Sequence, residues 1–70
     1  MSRRAHVVTA SNRAAAGVYA DTGGPLIVEW LRARGFETAD ATVVPDGEPV
    51  GEAIRAAVAA AVDVVITTSQ

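Results

Sequence analysis

Polar residues that could form a ligand site lie at the ends of three separate β-favouring runs of the sequence. In chain order they are Ser11, Asn12, Arg13, Asp46, Thr67 and Thr68. Arginine matches phosphate or carboxylate oxygens through a pair of parallel donors. An aspartate in a Pro-Asp-Gly turn could bind magnesium, hold a polar group or move a proton. These residue types therefore suit a small phosphate- or carboxylate-bearing ligand.

Each of these residues also has a structural interpretation. Asp46 could satisfy its own turn or cap the following helix. Arg13 could be a solvated loop residue, and Ser11 and Asn12 could simply end a strand. His6 is expected to be a partly buried strand residue rather than a zinc ligand, because the sequence has no cysteine and no second histidine.

Hydrophobic spacing predicts alternating strands and helices that would position these residues. The predicted order is a strand (residues 4–10), a polar connection (11–24), a helix (25–34), a strand (36–44), a helix (49–61) and a strand (62–68). Because the last strand is a continuous apolar run, it is predicted to be fully buried in a parallel sheet.

Each predicted helix has an apolar stripe. In the first helix the stripe consists of Leu26, Ile27, Trp30 and Leu31. In the second it consists of Val50, Ala53, Ile54, Ala57, Val58 and Ala61. The stripe that contains Trp30, together with unpaired strand edges, predicts self-association.

The β-α-β-α-β order predicts parallel strands joined by right-handed crossovers. Parallel strands carry their carboxyl ends to the same edge of a sheet, and ligands of open α/β sheets bind there. We therefore expect three polar segments, residues 11–13, 45–47 and 67–69, to meet at one ligand-binding edge.

Composition and charge exclude several classes of protein. The chain has 70 residues, half of them apolar, which is enough for one small domain. Its apolar runs are far shorter than the ~20 residues of a membrane helix. Residues 1–35 carry a net charge of +3 and residues 36–70 a net charge of −5, unlike the basic stripe of a nucleic-acid binder. We expect a cytoplasmic protein that binds neither nucleic acid nor membrane.

Several spaced motifs resemble one known family. They are Val8-Thr9-Ala10-Ser11-Asn12-Arg13, Gly17-Val18-Tyr19-Ala20-Asp21, Gly24-Pro25, Trp30-Leu31, Val43-Val44-Pro45-Asp46 and Asp63-Val64-Val65-Ile66-Thr67-Thr68. In order and spacing they are similar to the MogA/MoaB family of molybdenum-cofactor biosynthesis proteins, which is related to the G domain of gephyrin. The resemblance covers essentially the whole chain.

The resemblance implies a three-layer α/β domain of the molybdopterin-binding type, here a β-α-β-α-β portion. For the MogA branch it implies transfer of AMP from Mg-ATP to the phosphate of molybdopterin, in a cytoplasmic homotrimer with no permanently bound cofactor. Asp46 is implied to be catalytic. The residues implied to bind substrate are Ser11, Asn12, Arg13, Asp21, Thr67 and Thr68. No metal ligand is assigned.

Two departures from the family pattern affect this expectation. Asn12 stands where the family usually has aspartate, and the chain reads Ser69-Gln70 where the family continues with Gly-Gly-Thr-Gly. We therefore expect residues 1–70 to be the N-terminal part of a single domain that does not transfer AMP alone. The alternatives are a binding or assembly module with the same fold and, more weakly, an unrelated flavodoxin-like or nucleotide-binding fragment.

Overall fold

Strands and helices alternate along the chain as the sequence predicts. The computed structural model describes residues 3–17 and 22–69. Its elements are β1 (Arg3–Ala10), α1 (Asn12–Ala15), α2 (Gly23–Ala33), β2 (Phe36–Thr38), β3 (Thr42–Val44), α3 (Glu48–Ala59) and β4 (Val64–Ser69). Two differences from the prediction stand out. A one-turn helix, α1, lies in the predicted polar connection, and the second predicted strand is divided into β2 and β3.

β1 is the central strand of a parallel sheet. β4 pairs with it in register from Ala5–Val64 to Ala10–Ser69. β2 and β3 also pair with β1 in parallel. They lie on the opposite side of β1 from β4, because the residues of β1 that they contact overlap those already paired with β4. The predicted parallel sheet is therefore confirmed, and its carboxyl ends share one edge.

The predicted strand over residues 36–44 is interrupted by a bulge. Ala5 pairs with Thr38 and Val8 pairs with Thr42. Residues 39–41 therefore lie opposite only two residues of β1, and one extra residue is left out of the ladder. The prediction of one continuous strand was wrong, because the Ala-Asp-Ala sequence at this point consists of poor strand formers.

The two longer helices cover opposite faces of the sheet. Ala5 and Val7 of β1 form a buried cluster with Val28 and Leu31 of α2. Successive strand residues point to opposite faces, so His6 points away from α2. There it lines a cavity together with residues of α3. Helix, sheet and helix thus form the three layers expected of this fold class.

The buried face of α2 differs from the predicted stripe. Leu31 is buried, but Leu26 is 65% exposed and Trp30 is 52% exposed. The helix begins two residues earlier than predicted and instead buries Gly24 and Val28 together with Leu31. This set also has helical spacing. Leu26 and Trp30 of the predicted stripe therefore lie on the surface, and the self-association predicted for this stripe stays a prediction.

β4 lies at an edge of the described sheet. It pairs with β1, and no second neighbour of β4 occurs among the described strands. Its side chains are half-buried or exposed, with Val64 36% exposed. The prediction of a fully buried strand was wrong for this reason. Within residues 3–17 and 22–69, no helix is both long enough and apolar enough to cross a membrane.

Candidate functional site

The carboxyl ends of β1, β3 and β4 bring the three polar segments to one edge of the sheet. Ala10, the last residue of β1, pairs with Val44 on one side and with Ser69 on the other. Residues 11–13 follow Ala10, residues 45–47 follow Val44, and Ser69 is itself the last residue of the segment 67–69. The predicted meeting of residues 11–13, 45–47 and 67–69 at one edge is therefore confirmed.

Ser11 joins β1 to α1 and is buried. The residue is 1% exposed, and its Oγ accepts a hydrogen bond from the N–H of Ala14 at 3.2 Å. Its own N–H donates to the carbonyl of Val44 at 2.9 Å. These contacts favour the structural interpretation of Ser11, as a helix N-cap at the end of a strand.

Asn12 and Asp46 connect the two loops of the edge. Both residues are exposed, and the N–H of Asp46 donates to Oδ1 of Asn12 at 3.0 Å. The N-cap of α3 is Gly47 rather than Asp46, and no side chain caps that helix. The carboxylate of Asp46 is thus not used as a helix cap. An exposed carboxylate on a backbone held in this way can meet a ligand at the edge.

Arg13, Thr67 and Thr68 lie at different depths of the edge. Arg13 and Thr67 are exposed, whereas Thr68 is half-buried. The two threonines pair with Val8 and Thr9, and so lie within β4 rather than in a loop after it. Successive residues of a strand face opposite sides of the sheet. The two threonine side chains therefore cannot both face a ligand on one side.

Few side chains at this edge could act as metal ligands. No group of three or more His, Cys, Asp or Glu side chains capable of holding a metal occurs among residues 3–17 and 22–69. Asp46 is the one carboxylate of the three polar segments. Asp21, the remaining residue that was predicted to bind substrate, lies outside the described residues.

Two cavities lie away from this edge. One, of about 570 Å³, separates α3 from the sheet and is lined by His6 and Thr42 among others. His6 is half-buried, as predicted, with Nε2 2.7 Å from Oγ1 of Thr42. The other, of about 490 Å³, lies beside Arg32 and Asp40. Neither cavity includes a predicted site residue, and sequence analysis missed both because they depend on the spacing between elements.

Comparison with known proteins identifies one family and several similar structures, including the two described below. The family described as "Probable molybdopterin binding domain" matches residues 6–69. The molybdopterin biosynthesis Mog protein from Mycobacterium ulcerans is 55% identical with a TM-score of 0.86, over 94% of this chain and 43% of that one. A MogA structure is also 55% identical, with a TM-score of 0.89, over 93% of this chain and 43% of that one. No curated protein matches the chain.

The match includes the whole carboxyl edge of the sheet. Residues 6–69 contain all three polar segments, and both similar structures have the same fold over more than nine-tenths of this chain. The chain spans less than half the length of either structure. The resemblance drawn from the spaced motifs is confirmed, and the chain belongs to the molybdopterin-binding domain family that includes the Mog and MogA proteins of molybdenum-cofactor biosynthesis.

Proposed function

We propose that the chain binds molybdopterin at the carboxyl edge of its sheet. The observation that carries this proposal is the meeting of three polar segments, with the loops of Asn12 and Asp46 joined by a 3.0 Å hydrogen bond. Membership of a family described by molybdopterin binding supports the choice of ligand. Arg13 is suited to the phosphate of molybdopterin, because a guanidinium can donate two hydrogen bonds to it. Absence of cysteine is compatible with a cytoplasmic location.

A finer proposal concerns the reaction of a protein that contains this domain. There, a phosphate oxygen of molybdopterin attacks the α-phosphorus of ATP. The bond from that phosphorus to the bridging oxygen breaks, and pyrophosphate leaves. The chain contributes by holding both phosphates in line, since phosphoryl transfer depends mainly on positioning and charge neutralisation. Arg13 would hold the phosphate of the pterin.

Asp46 suits magnesium that arrives with the nucleotide. Magnesium in phosphoryl-transfer sites is commonly held by one or two carboxylates and by the substrate phosphates. One exposed carboxylate at the edge, that of Asp46, fits this pattern. Magnesium is accordingly part of the Mg-ATP co-substrate in this proposal.

The second candidate is a binding or assembly module without chemistry. Neither of the two cavities described above includes a predicted site residue. The chain also spans 43% of each similar structure. In this case molybdopterin binds, but ATP is not consumed.

Calorimetric titration of molybdopterin into the chain tests whether it binds molybdopterin, which both candidate functions require. We expect saturable binding that Arg13→Ala weakens about tenfold, the loss of roughly one charge-assisted hydrogen bond. The matched control is Arg34→Ala, which removes a cation that stacks on Trp30 at 3.7 Å and lies outside the three polar segments. Absence of binding, or equal weakening by both variants, would contradict the proposed site.

Addition of Mg-ATP to the same sample separates the two candidates. The expected result for this chain alone is binding of molybdopterin without release of pyrophosphate. Robust pyrophosphate release by a chain verified to be monomeric would favour the enzyme over the module. Enzyme-coupled detection of pyrophosphate measures this directly, and Asp46→Asn should abolish any release without unfolding the chain.

A further inference from the structure

The ladder between β1 and β3 extends beyond the ends of both strands. Its first additional hydrogen bond is between main-chain groups, from the N–H of Ser11 to the carbonyl of Val44 at 2.9 Å. In a parallel ladder only every second residue of β3 bonds to β1, so the next donor after Val44 is Asp46 and its expected acceptor is the carbonyl of Ser11. The chain turns into α1 here, and that carbonyl instead accepts from the N–H of Ala15 at 3.0 Å.

The side chain of Asn12 supplies the acceptor that the main chain no longer offers. Its Oδ1 lies 3.0 Å from the N of Asp46. Since a backbone N–H can only donate, the oxygen end of the amide must face it. The side chain thus takes the place of the next main-chain carbonyl of β1, and it joins positions that are 34 residues apart in sequence.

We propose that Asn12 is a positioning residue that fixes the backbone of Asp46 at the edge. This differs from the prediction that Asn12 contacts substrate. The hydrogen bond between Asn12 and Asp46 does not depend on any assignment of function. Its consequence for ligand binding rests on the proposed function, which assigns the magnesium of ATP to Asp46. Because the asparagine amide is uncharged, it provides an acceptor without adding a second carboxylate where phosphates would bind.

Amide hydrogen exchange measured by NMR tests the positioning without any ligand. Asn12→Ala should accelerate exchange of the Asp46 amide about tenfold, because its acceptor is removed. The adjacent Ser11 amide, which donates to a main-chain carbonyl, should change less than about twofold. Asn12→Asp should keep the Asp46 amide slow, since a carboxylate oxygen accepts the same hydrogen bond.

Two exchange results would overturn the proposal. One is an unchanged Asp46 amide in Asn12→Ala. The other is equal acceleration of the Ser11 and Asp46 amides, which would mean that the substitution loosens the whole strand end. Failure of Asn12→Asp to restore slow exchange would also contradict the role of the side-chain oxygen as the acceptor.

A double-mutant cycle on Mg-ATP affinity, with molybdopterin held saturating, tests whether Asn12 acts through Asp46. We expect Asp46→Ala to weaken Mg-ATP binding about tenfold, a loss of about 1.4 kcal/mol, and Asn12→Ala to weaken it about threefold, a loss of about 0.6 kcal/mol. The double variant should match Asp46→Ala alone. Multiplying effects would show that Asn12 contacts the ligand directly and would overturn the positioning role.

The two measurements separate failure of this proposal from failure of the proposed function. If Asp46→Ala leaves Mg-ATP affinity unchanged, the role assigned to Asp46 is wrong, and the exchange experiment alone decides whether Asn12 fixes its backbone. If Asp46→Ala weakens binding but Asn12→Ala changes neither exchange nor affinity, the proposed function survives and the positioning role is refuted.

Discussion

The turn between Asp46 and α3 depends on the backbone of one glycine. Gly47 has φ 102° and ψ −141°, a combination that residues with a Cβ rarely adopt. Nothing lies within 4 Å of the position that a Cβ would take. A side chain at this position would therefore be disfavoured by backbone conformation and not by collision. The residue sets the direction in which the chain leaves the candidate site.

Replacing this glycine should lower the free energy of unfolding. Gly47→Ala is expected to cost about 1–3 kcal/mol, the range for a residue held in a sparsely populated backbone region. The matched control is Gly51→Ala within α3, which should raise the free energy of unfolding by up to about 1 kcal/mol. Its Cβ would meet the mobile end of Arg55 at 3.3 Å. Urea unfolding measures both, and effects of the same sign would contradict the argument.

Residue types at the edge could be predicted from sequence, but their partners could not. The positions of Arg13 and Asp46 after β-favouring runs were enough to place both at the carboxyl edge. The hydrogen bond from Asp46 to Asn12 depends on the register of β1 against β3, and no local pattern encodes that register. The burial of Ser11 likewise depends on α1, which is too short to show a periodic signal.

Among the helices and strands, sequence periodicity predicted existence and order better than orientation or continuity. Two apolar stripes of α2 have helical spacing, and packing against β1 and β2 decides which of them is buried. The bulge between β2 and β3 changes the pairing by one residue. This one-residue shift in pairing depends on the register of β2 and β3 against β1. Propensity within residues 36–44 indicates only that this strand is weak.

The buried face of α2 makes a direct prediction for two leucines of the same helix. Leu31 is 1% exposed and belongs to the buried cluster, so Leu31→Ala should lower the free energy of unfolding by about 2–5 kcal/mol. Leu26 is 65% exposed, and Leu26→Ala should change it by less than about 0.5 kcal/mol. Denaturant unfolding of the two variants compares the faces. Equal losses in the free energy of unfolding would contradict the burial of Leu31 and the exposure of Leu26 described here.

At the scale of the whole molecule, the described structure leaves one side of β4 open. β4 pairs with β1 on its other side, and the open side presents main-chain donors and acceptors to solvent among the described residues. Val64 adds partly exposed apolar surface there. Such an edge favours pairing with a strand of another chain. Self-association through this edge and the homotrimer that the resemblance implies both stay predictions.

We expect the chain to associate with itself at micromolar concentration, and we expect β4 to drive that association. A lysine at an exposed sheet edge opposes strand pairing, so Val64→Lys should shift the chain towards the monomer. Leu26→Lys is the control, because it places the same charge on an apolar position of α2 that is 65% exposed, against 36% for Val64. Sedimentation velocity over a concentration series measures both. A sharp monomer boundary for the unmodified chain would refute self-association. A larger shift towards the monomer for Leu26→Lys than for Val64→Lys would place the contact on the surface of α2 instead of on the β4 edge.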